Sequence, residues 1–273
     1  MKTYIHTYER DLQRRLAYIE STPDISKENK SLILEFYRYN KLNGFSIPRL
    51  LKHLDPLKLV ALGVKKDFSV VTRPDYEAFI LKLMERDLSK ATVSTYMEIL
   101  KVFHKWLGKS DTYPDCVKWM RCGGKKSRKL PETLLTQEDV KLLLSHSSNA
   151  RDTALISILW ESGARIGEIG GMDIKDVAFD ELGCRIMVDG KTGMRRIRLV
   201  NSSNALLQWL NQHPFRNNPE YALFVNMKEN YGDRMGHQNI MKILSRTAIK
   251  AGVTKPVIRI TSGTRAQPTC RSS

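Results

Sequence analysis

Two glycine-containing segments in the second half of the chain restrict its fold more than any other feature. Residues 161–169 read ESGARIGEI, in which a Gly-Ala pair interrupts one helical pattern and Arg165 opens another. Residues 189–193 read DGKTG and separate two segments that predict strands, so that Lys191 lies between two turn-forming glycines. A helix, a break, a second helix and a β-hairpin are therefore predicted in this order.

The first 110 residues show apolar residues at three- and four-residue spacing, which predicts helices throughout. The clearest segment is 90–107, where one apolar stripe is preceded by a capping residue, Ser89, and followed by a terminating glycine, Gly108. A helical bundle is therefore predicted for this part. The predicted helices are 8–20, 26–40, 47–53, 56–62, 74–86 and 90–107.

The second half of the chain combines helices with a few short strands. Thr136 followed by Asp139 is close to a capping box and predicts a helix start. The predicted fold class is therefore mainly α with a small antiparallel β-sheet. Further helices are predicted at 151–162, 165–170, 205–210 and 237–252, and strands at 173–177, 185–188 and 195–200.

The charge balance favours a polyanionic partner. Lys and Arg number 45 against 29 Asp and Glu, which gives a formal net charge of +16. Nucleic acid is the first expectation and an anionic membrane surface the second. No apolar run is long enough to span a bilayer. The four cysteines lie far apart without a C-x-x-C pair, so neither a zinc site nor a disulfide scaffold is expected, and a cytoplasmic location fits.

A basic segment separates the two halves. Residues 118–129 contain six basic residues, two adjacent glycines and no acidic residue. We predict a flexible linker at 118–133 between a helical domain, 1–117, and a second domain, 134–256. The basic residues either contact DNA phosphates or lie on solvated surfaces. The candidate DNA-binding residues of this region are Lys90, Lys101, Lys105, Lys125, Lys126, Arg128 and Lys129.

Arg165 is the first candidate catalytic residue. Free N–H groups at a helix start suit phosphate oxygens, and a guanidinium offers a rigid fork that matches a phosphate. It could stabilise charge on a phosphodiester under attack. Glu161 and Glu168 flank it and could orient the guanidinium. The alternative is an ordinary arginine that pairs with one of these glutamates.

Lys191 is the second candidate. A lysine on a flexible hairpin could enter a DNA groove, and its pKa falls readily in a cationic site, so that it could act as a general acid. The alternative is an exposed turn lysine. The arginines that follow, Arg195, Arg196 and Arg198, are predicted to bind backbone phosphates.

Together these segments resemble the tyrosine recombinases of the phage integrase family. Residues 87–107 are similar to the family's helical core-binding domain, and Arg165 and Lys191 match its first catalytic arginine and its hairpin lysine. The resemblance implies a clamp around double-stranded DNA and attack of a tyrosine on the phosphodiester, without metal, ATP or another cofactor. It also implies self-association on DNA.

The chain departs from the family after residue 256. A His-x-x-Arg-His box should follow, but residues 257–273 contain neither His nor Tyr. Read in a shifted frame, the codons from Arg259 onward permit His-His-Phe-Arg-His-Ser-Arg-Ala-Thr-Tyr-Leu, so we hypothesise a frameshift. The tail is then expected to be disordered. The catalytic domain would be incomplete, which puts self-association in question.

Two other functions fit part of the pattern. A DNA-binding regulator, or a dominant-negative partner of an intact recombinase, would have a shortened catalytic domain by selection. An RNA-binding protein with a chance arginine motif ranks last, because no RNA-binding module is visible in the sequence.

Overall fold

The described residues form two structural units. The computed structural model describes residues 8–123, 134–190 and 193–257. The N-terminal unit is formed by 8–123, and the C-terminal unit by 134–190 together with 193–257. Each unit has its own core of buried apolar side chains. Across these ranges, no helix combines the length and the apolar character needed to cross a membrane.

The N-terminal unit is a helical bundle. Hydroxyl groups cap two of its helices: Ser26 Oγ accepts from the backbone N–H of Asn29, and Ser89 Oγ from that of Thr92, each at 3.1 Å. These bonds fix where the helices begin. The helices are α1 Tyr8–Ser21, α2 Lys27–Leu42, α3 Ile47–Val64, α4 Arg73–Met84, α5 Lys90–Leu107 and the single turn α6 Asp115–Lys118.

Helix α3 is one continuous helix, and the prediction of two helices, 47–53 and 56–62, was wrong. The prediction broke the pattern at Pro56, because proline removes one backbone hydrogen bond and normally kinks a helix. In the structure Pro56 lies inside α3, where it is buried. Leu50, Leu54 and Leu57 are also buried along the same helix. The burial of these side chains offsets the cost of the proline.

The C-terminal unit contains five helices and three strands among its described residues. Its helices are α7 Gln137–Ser145, α8 Ala150–Ser162, the short α9 Ile166–Gly170, α10 Ser203–Gln212 and α11 His237–Lys250. Its strands are β1 Val177–Asp180, β2 Gly183–Gly190 and β3 Gly193–Leu199. The predicted fold class, mainly α with a small antiparallel sheet, is confirmed.

The three strands form an antiparallel sheet in the order β1-β2-β3. Strand β2 pairs with β3 from Cys184 opposite Leu199 to Gly190 opposite Gly193. The predicted first strand, 173–177, was misplaced, because residues 174–176 form a turn of 3-10 helix and β1 begins at Val177. The side chain of Asp176 accepts from the backbone N–H of Asp173 at 2.8 Å, which favours the turn over a strand.

Helix α8 lies at the centre of this unit. Ala154, Leu155, Ile158 and Leu159 have no exposed surface. Val257, the first residue of the predicted disordered tail, is also buried in this core. The rest of the predicted tail, 258–273, lies outside the described residues.

Candidate functional site

Arg165 lies at a sharp break between two helices. Helix α8 ends at Ser162, and Gly163 adopts the left-handed conformation (φ +59°) that reverses the chain direction. Ala164 is fully buried and anchors the break in the core. Arg165 then caps α9 with an extended backbone, and 61% of its side chain is exposed to solvent. The buried backbone of Ala164 therefore holds the Arg165 guanidinium at the surface.

Glu168 holds Arg165 in place from inside the unit. Its side chain is only 3% exposed. It accepts hydrogen bonds from the backbone N–H of Arg165 and from Arg165 Nη1, both at 2.9 Å. It also accepts from Arg195 Nη1 at 3.1 Å and Nη2 at 2.8 Å. These hydrogen bonds, first those from Arg195, lower the pKa of Glu168 to about 2, so the carboxylate is charged at neutral pH.

Gly190 provides the space that Glu168 occupies. A Cβ atom at residue 190 would lie 2.1 Å from Glu168 Oε1 and 2.9 Å from its Cδ. Such an approach is impossible for two non-bonded atoms, so only glycine is compatible with this position of the carboxylate. We refer to Arg165, Glu168, Gly190 and Arg195 as the Glu168 cluster. It joins helix α9 to strands β2 and β3.

Strand alternation separates the three arginines of β3. Arg195 is on the same side as Ile197 and Leu199, whereas Arg196 and Arg198 alternate with them and are exposed. Arg195 binds the buried Glu168 with both terminal nitrogens. Arg195 therefore has an internal partner, and its contact with a backbone phosphate stays a prediction.

The two exposed arginines of β3 differ in their partners. Arg198 Nη1 donates to Asp180, which also pairs with Arg185 at 3.3 Å. The side chain of Arg196 makes no hydrogen bond or ion pair within the part of the chain that the structure describes. Both remain accessible to a ligand on the outer face of the sheet.

Glu161 does not contact Arg165, and its predicted orienting role is corrected. Its carboxylate accepts from the backbone N–H groups of Val200 (2.8 Å), Asn201 (3.0 Å) and Ser202 (2.7 Å), and from Ser202 Oγ (2.5 Å). These donors belong to the turn between β3 and α10. Glu161, at the end of α8, therefore fixes the end of β3, and Glu168 fixes the region near its start.

The candidate lysines of the N-terminal unit all lie on α5. Lys90 is exposed at the first position of the helix. Lys101 Nζ donates to the carbonyl of Met120 at 3.2 Å and lies 4.4 Å from the ring centre of Tyr113. Lys105 Nζ is 3.4 Å from a carboxylate oxygen of Asp111. Lys101 and Lys105 therefore have local partners, and Lys90 is the most accessible of the three.

Five candidate residues lie outside the described residues. They are Lys125, Lys126, Arg128, Lys129 and Lys191. Among residues 8–123, 134–190 and 193–257, no group of three His, Cys, Asp or Glu side chains is arranged to hold a metal ion.

Arg234 was not predicted from the sequence, and it binds backbone groups at the end of α9, the helix that contains Glu168. Its Nη1 donates to the carbonyl of Gly170 at 3.1 Å and to that of Met172 at 2.8 Å, and its Nη2 pairs with Asp173. It therefore satisfies carbonyl groups at the end of α9. A single arginine in a turn-rich segment carries no periodic signal that could have identified it.

Comparisons with known proteins support the family resemblance. A model of the phage integrase family matches residues 133–263. The chain is 27% identical over 202 residues to tyrosine recombinase XerD of Oceanobacillus iheyensis, and 27% identical over 211 residues to tyrosine recombinase XerC of Chlamydia muridarum. The alignments cover 68% and 72% of this chain but only 64% and 65% of those two proteins.

Solved structures of recombinases share the fold. The XerH site-specific recombinase bound to its difH substrate matches with a TM-score of 0.60 and 18% identity, covering 96% of this chain and 86% of that one. Lambda integrase bound to DNA matches with a TM-score of 0.68 and 12% identity, covering 86% and 85%. Residues 133–263 match the phage integrase family, and the resemblance to tyrosine recombinases seen in the sequence is confirmed.

Proposed function

We propose that the chain binds double-stranded DNA as a site-specific recombinase of this family, with Arg165 contacting a phosphodiester. The observation that carries the proposal is the state of the Arg165 guanidinium. Glu168 holds the guanidinium by accepting from Nη1. Nε and Nη2 have no partner among the described residues, and the side chain is largely exposed. A fixed, exposed guanidinium with free donors suits a phosphate anion.

Charge and the relatives' ligands support DNA as the partner. The net charge of +16 attracts a polyanion, and the release of counterions from DNA phosphates drives such binding. The XerH and lambda integrase structures contain DNA, and we extend this property to the present chain. In this proposal the N-terminal unit is the core-binding domain, and Lys90, Arg196 and Arg198 contact backbone phosphates. The cytoplasm is the proposed location.

Lys191 is the proposed general acid for the oxygen that leaves the phosphorus atom. It follows Gly190 of the Glu168 cluster in the chain, and it matches the hairpin lysine of the family. In a cationic site a lysine loses its proton more easily than a free lysine does, because the neighbouring positive charges disfavour its charged form.

We further propose that a polypeptide of these 273 residues binds DNA without cleaving it. The last tyrosine in the sequence is Tyr231 and the last histidine is His237, and no His-x-x-Arg-His box is present. A tyrosine nucleophile and this box are what the family uses for strand cleavage. Binding requires only the basic surfaces and Arg165, so it should persist without these groups.

The substitution Arg165→Gln tests the proposal. Loss of a charge-assisted hydrogen bond to a phosphate should weaken duplex binding about tenfold or more, as measured by fluorescence anisotropy. The matched control is Arg216→Gln, which removes the same charge from an exposed arginine of the same unit that bonds only to the carbonyl of Asn211. Equal losses of affinity in the two variants would mean that Arg165 acts only through the net charge.

A further inference from the structure

The Glu168 cluster connects Arg165 to two residues with no assigned role in phosphate binding. We propose that Arg195 and Gly190 are positioning residues that keep Arg165 available for phosphate, by holding and neutralising the carboxylate of Glu168. This inference rests on the proposed function, because it concerns what keeps Arg165 ready for a phosphodiester.

Every acceptor position of the Glu168 carboxylate is used. Oε1 accepts from Arg165 Nη1 and Arg195 Nη1, and Oε2 accepts from the backbone N–H of Arg165 and from Arg195 Nη2. A carboxylate offers about four such positions. Without Arg195, two positions on a buried charge would lose their donors, which is costly. The guanidinium of Arg165 carries the nearest spare donors, so it would turn inward to replace them.

The charges of the Glu168 cluster do not cancel. Two guanidinium groups and one ionised carboxylate give the cluster a net charge of +1. Arg195 offsets the charge of Glu168, so the charge of Arg165 remains available for a phosphodiester, which carries −1. Without Arg195, the pair of Arg165 and Glu168 would be neutral and would attract a phosphate only weakly.

The position of the Glu168 carboxylate also depends on the space at residue 190. Gly190 belongs to β2 and has no positive φ, so its backbone conformation suits alanine as well as glycine. A methyl group there would nevertheless collide with Glu168 Oε1 and displace the carboxylate from both arginines. Gly190→Ala is therefore a way to disturb the cluster without removing a charge. Gly167→Ala is its matched control, because a Cβ at residue 167 of α9 meets no atom within 4 Å.

The test is a double-mutant cycle on duplex affinity with the full chain. We expect Arg195→Gln to weaken binding about as much as Arg165→Gln, and the double variant to bind no worse than either single variant. Arg196→Gln is the matched control, since it removes the neighbouring exposed arginine, and its effect should multiply with that of Arg165→Gln. Arg195→Lys should recover part of the affinity, whereas Gly190→Ala should reproduce the loss and Gly167→Ala should not.

A second measurement does not depend on DNA. Modification of Arg165 by an arginine-specific dicarbonyl reagent, followed by mass spectrometry, reports how exposed its guanidinium is. We expect slower modification of Arg165 in Arg195→Gln than in the unaltered chain or in Arg196→Gln. Circular dichroism of each variant shows whether its helices are retained.

The outcomes separate the two proposals. If the losses from Arg165→Gln and Arg195→Gln multiply, Arg195 contacts DNA on its own and the positioning role is wrong. Unchanged modification of Arg165 in Arg195→Gln overturns that role as well. If Arg165→Gln binds DNA as tightly as the unaltered chain, the proposed function itself fails, whatever Arg195 does.

Discussion

At the scale of single residues, the arginines of the C-terminal unit have different tasks although their side chains are chemically the same. Arg234 donates to two main-chain carbonyls and pairs with Asp173, and Arg195 gives both terminal nitrogens to Glu168. Arg165 gives only one. The difference arises from where each residue lies on its element, and it decides which guanidinium can meet a ligand.

Glu168 makes the stability of this unit depend on pH. Its pKa falls from 4.5 to about 2 on folding, so the charged form stabilises the folded state above pH 4.5 and this contribution is lost as the pH falls towards 2. We expect Glu168→Gln to lower the free energy of unfolding by about 2 kcal/mol at pH 7. In urea unfolding at pH 7 and pH 3, the difference between the two proteins should be smaller at pH 3.

The control for this experiment is Glu181→Gln, an exposed glutamate between β1 and β2. It should leave the free energy of unfolding nearly unchanged at both pH values. A loss in Glu168→Gln that is the same at pH 7 and pH 3 would contradict the assigned ionisation.

At the scale of elements, the two glutamates that flank Arg165 have separate contacts with the β3 region. Glu168 contacts Arg195 within β3, and Glu161 contacts the turn that follows it. Helices α8 and α9 are thereby joined to the same strand through side chains. The break that presents Arg165 is held on both sides.

Removal of the Glu161 carboxylate should loosen the turn at 200–202. Three backbone N–H groups and one hydroxyl would lose their acceptor, although water can reach some of them, so we expect Glu161→Ala to lower the free energy of unfolding by about 1–2 kcal/mol. Hydrogen exchange should accelerate at the amides of these residues. The control Glu229→Ala, at an exposed glutamate, should change neither quantity; unchanged exchange in Glu161→Ala would contradict the assignment.

The sequence predicted elements well where several local signals agreed. Helix α5 has the predicted bounds, because an apolar stripe, Ser89 and Gly108 all indicate the same segment. The prediction failed at Pro56, where burial of neighbouring side chains overrides a local rule. The role of Arg195 was accessible in principle, since it alternates in phase with Ile197 and Leu199. Its partner Glu168 lies on another element, and no local pattern indicates that contact.

At the scale of the whole molecule, two units with separate cores carry a large positive charge. Each unit has basic side chains that are proposed to contact DNA, among them Lys90 in the N-terminal unit and Arg165 in the C-terminal unit. Such binding should weaken steeply as salt rises, because it depends on many phosphate contacts.

The full 273-residue polypeptide should bind DNA without covalent attachment. Incubated with a pool of nicked duplexes of randomised sequence, it should give a shifted complex in a native gel and no complex that survives detergent. An intact family member on its own nicked site serves as the positive control. A detergent-resistant band containing a phosphotyrosyl peptide would contradict this expectation.

The two glutamates also impose a constraint on length. Between Arg195 and Val200 the chain is extended and covers about 17 Å at 3.4 Å per residue. Glu161 on α8 and Glu168 on α9 lie on either side of the break at Gly163, and each must reach its own contact point on this segment. A residue inserted into or deleted from either segment would misalign one contact, so this region should accept substitutions far more readily than changes in its number of residues.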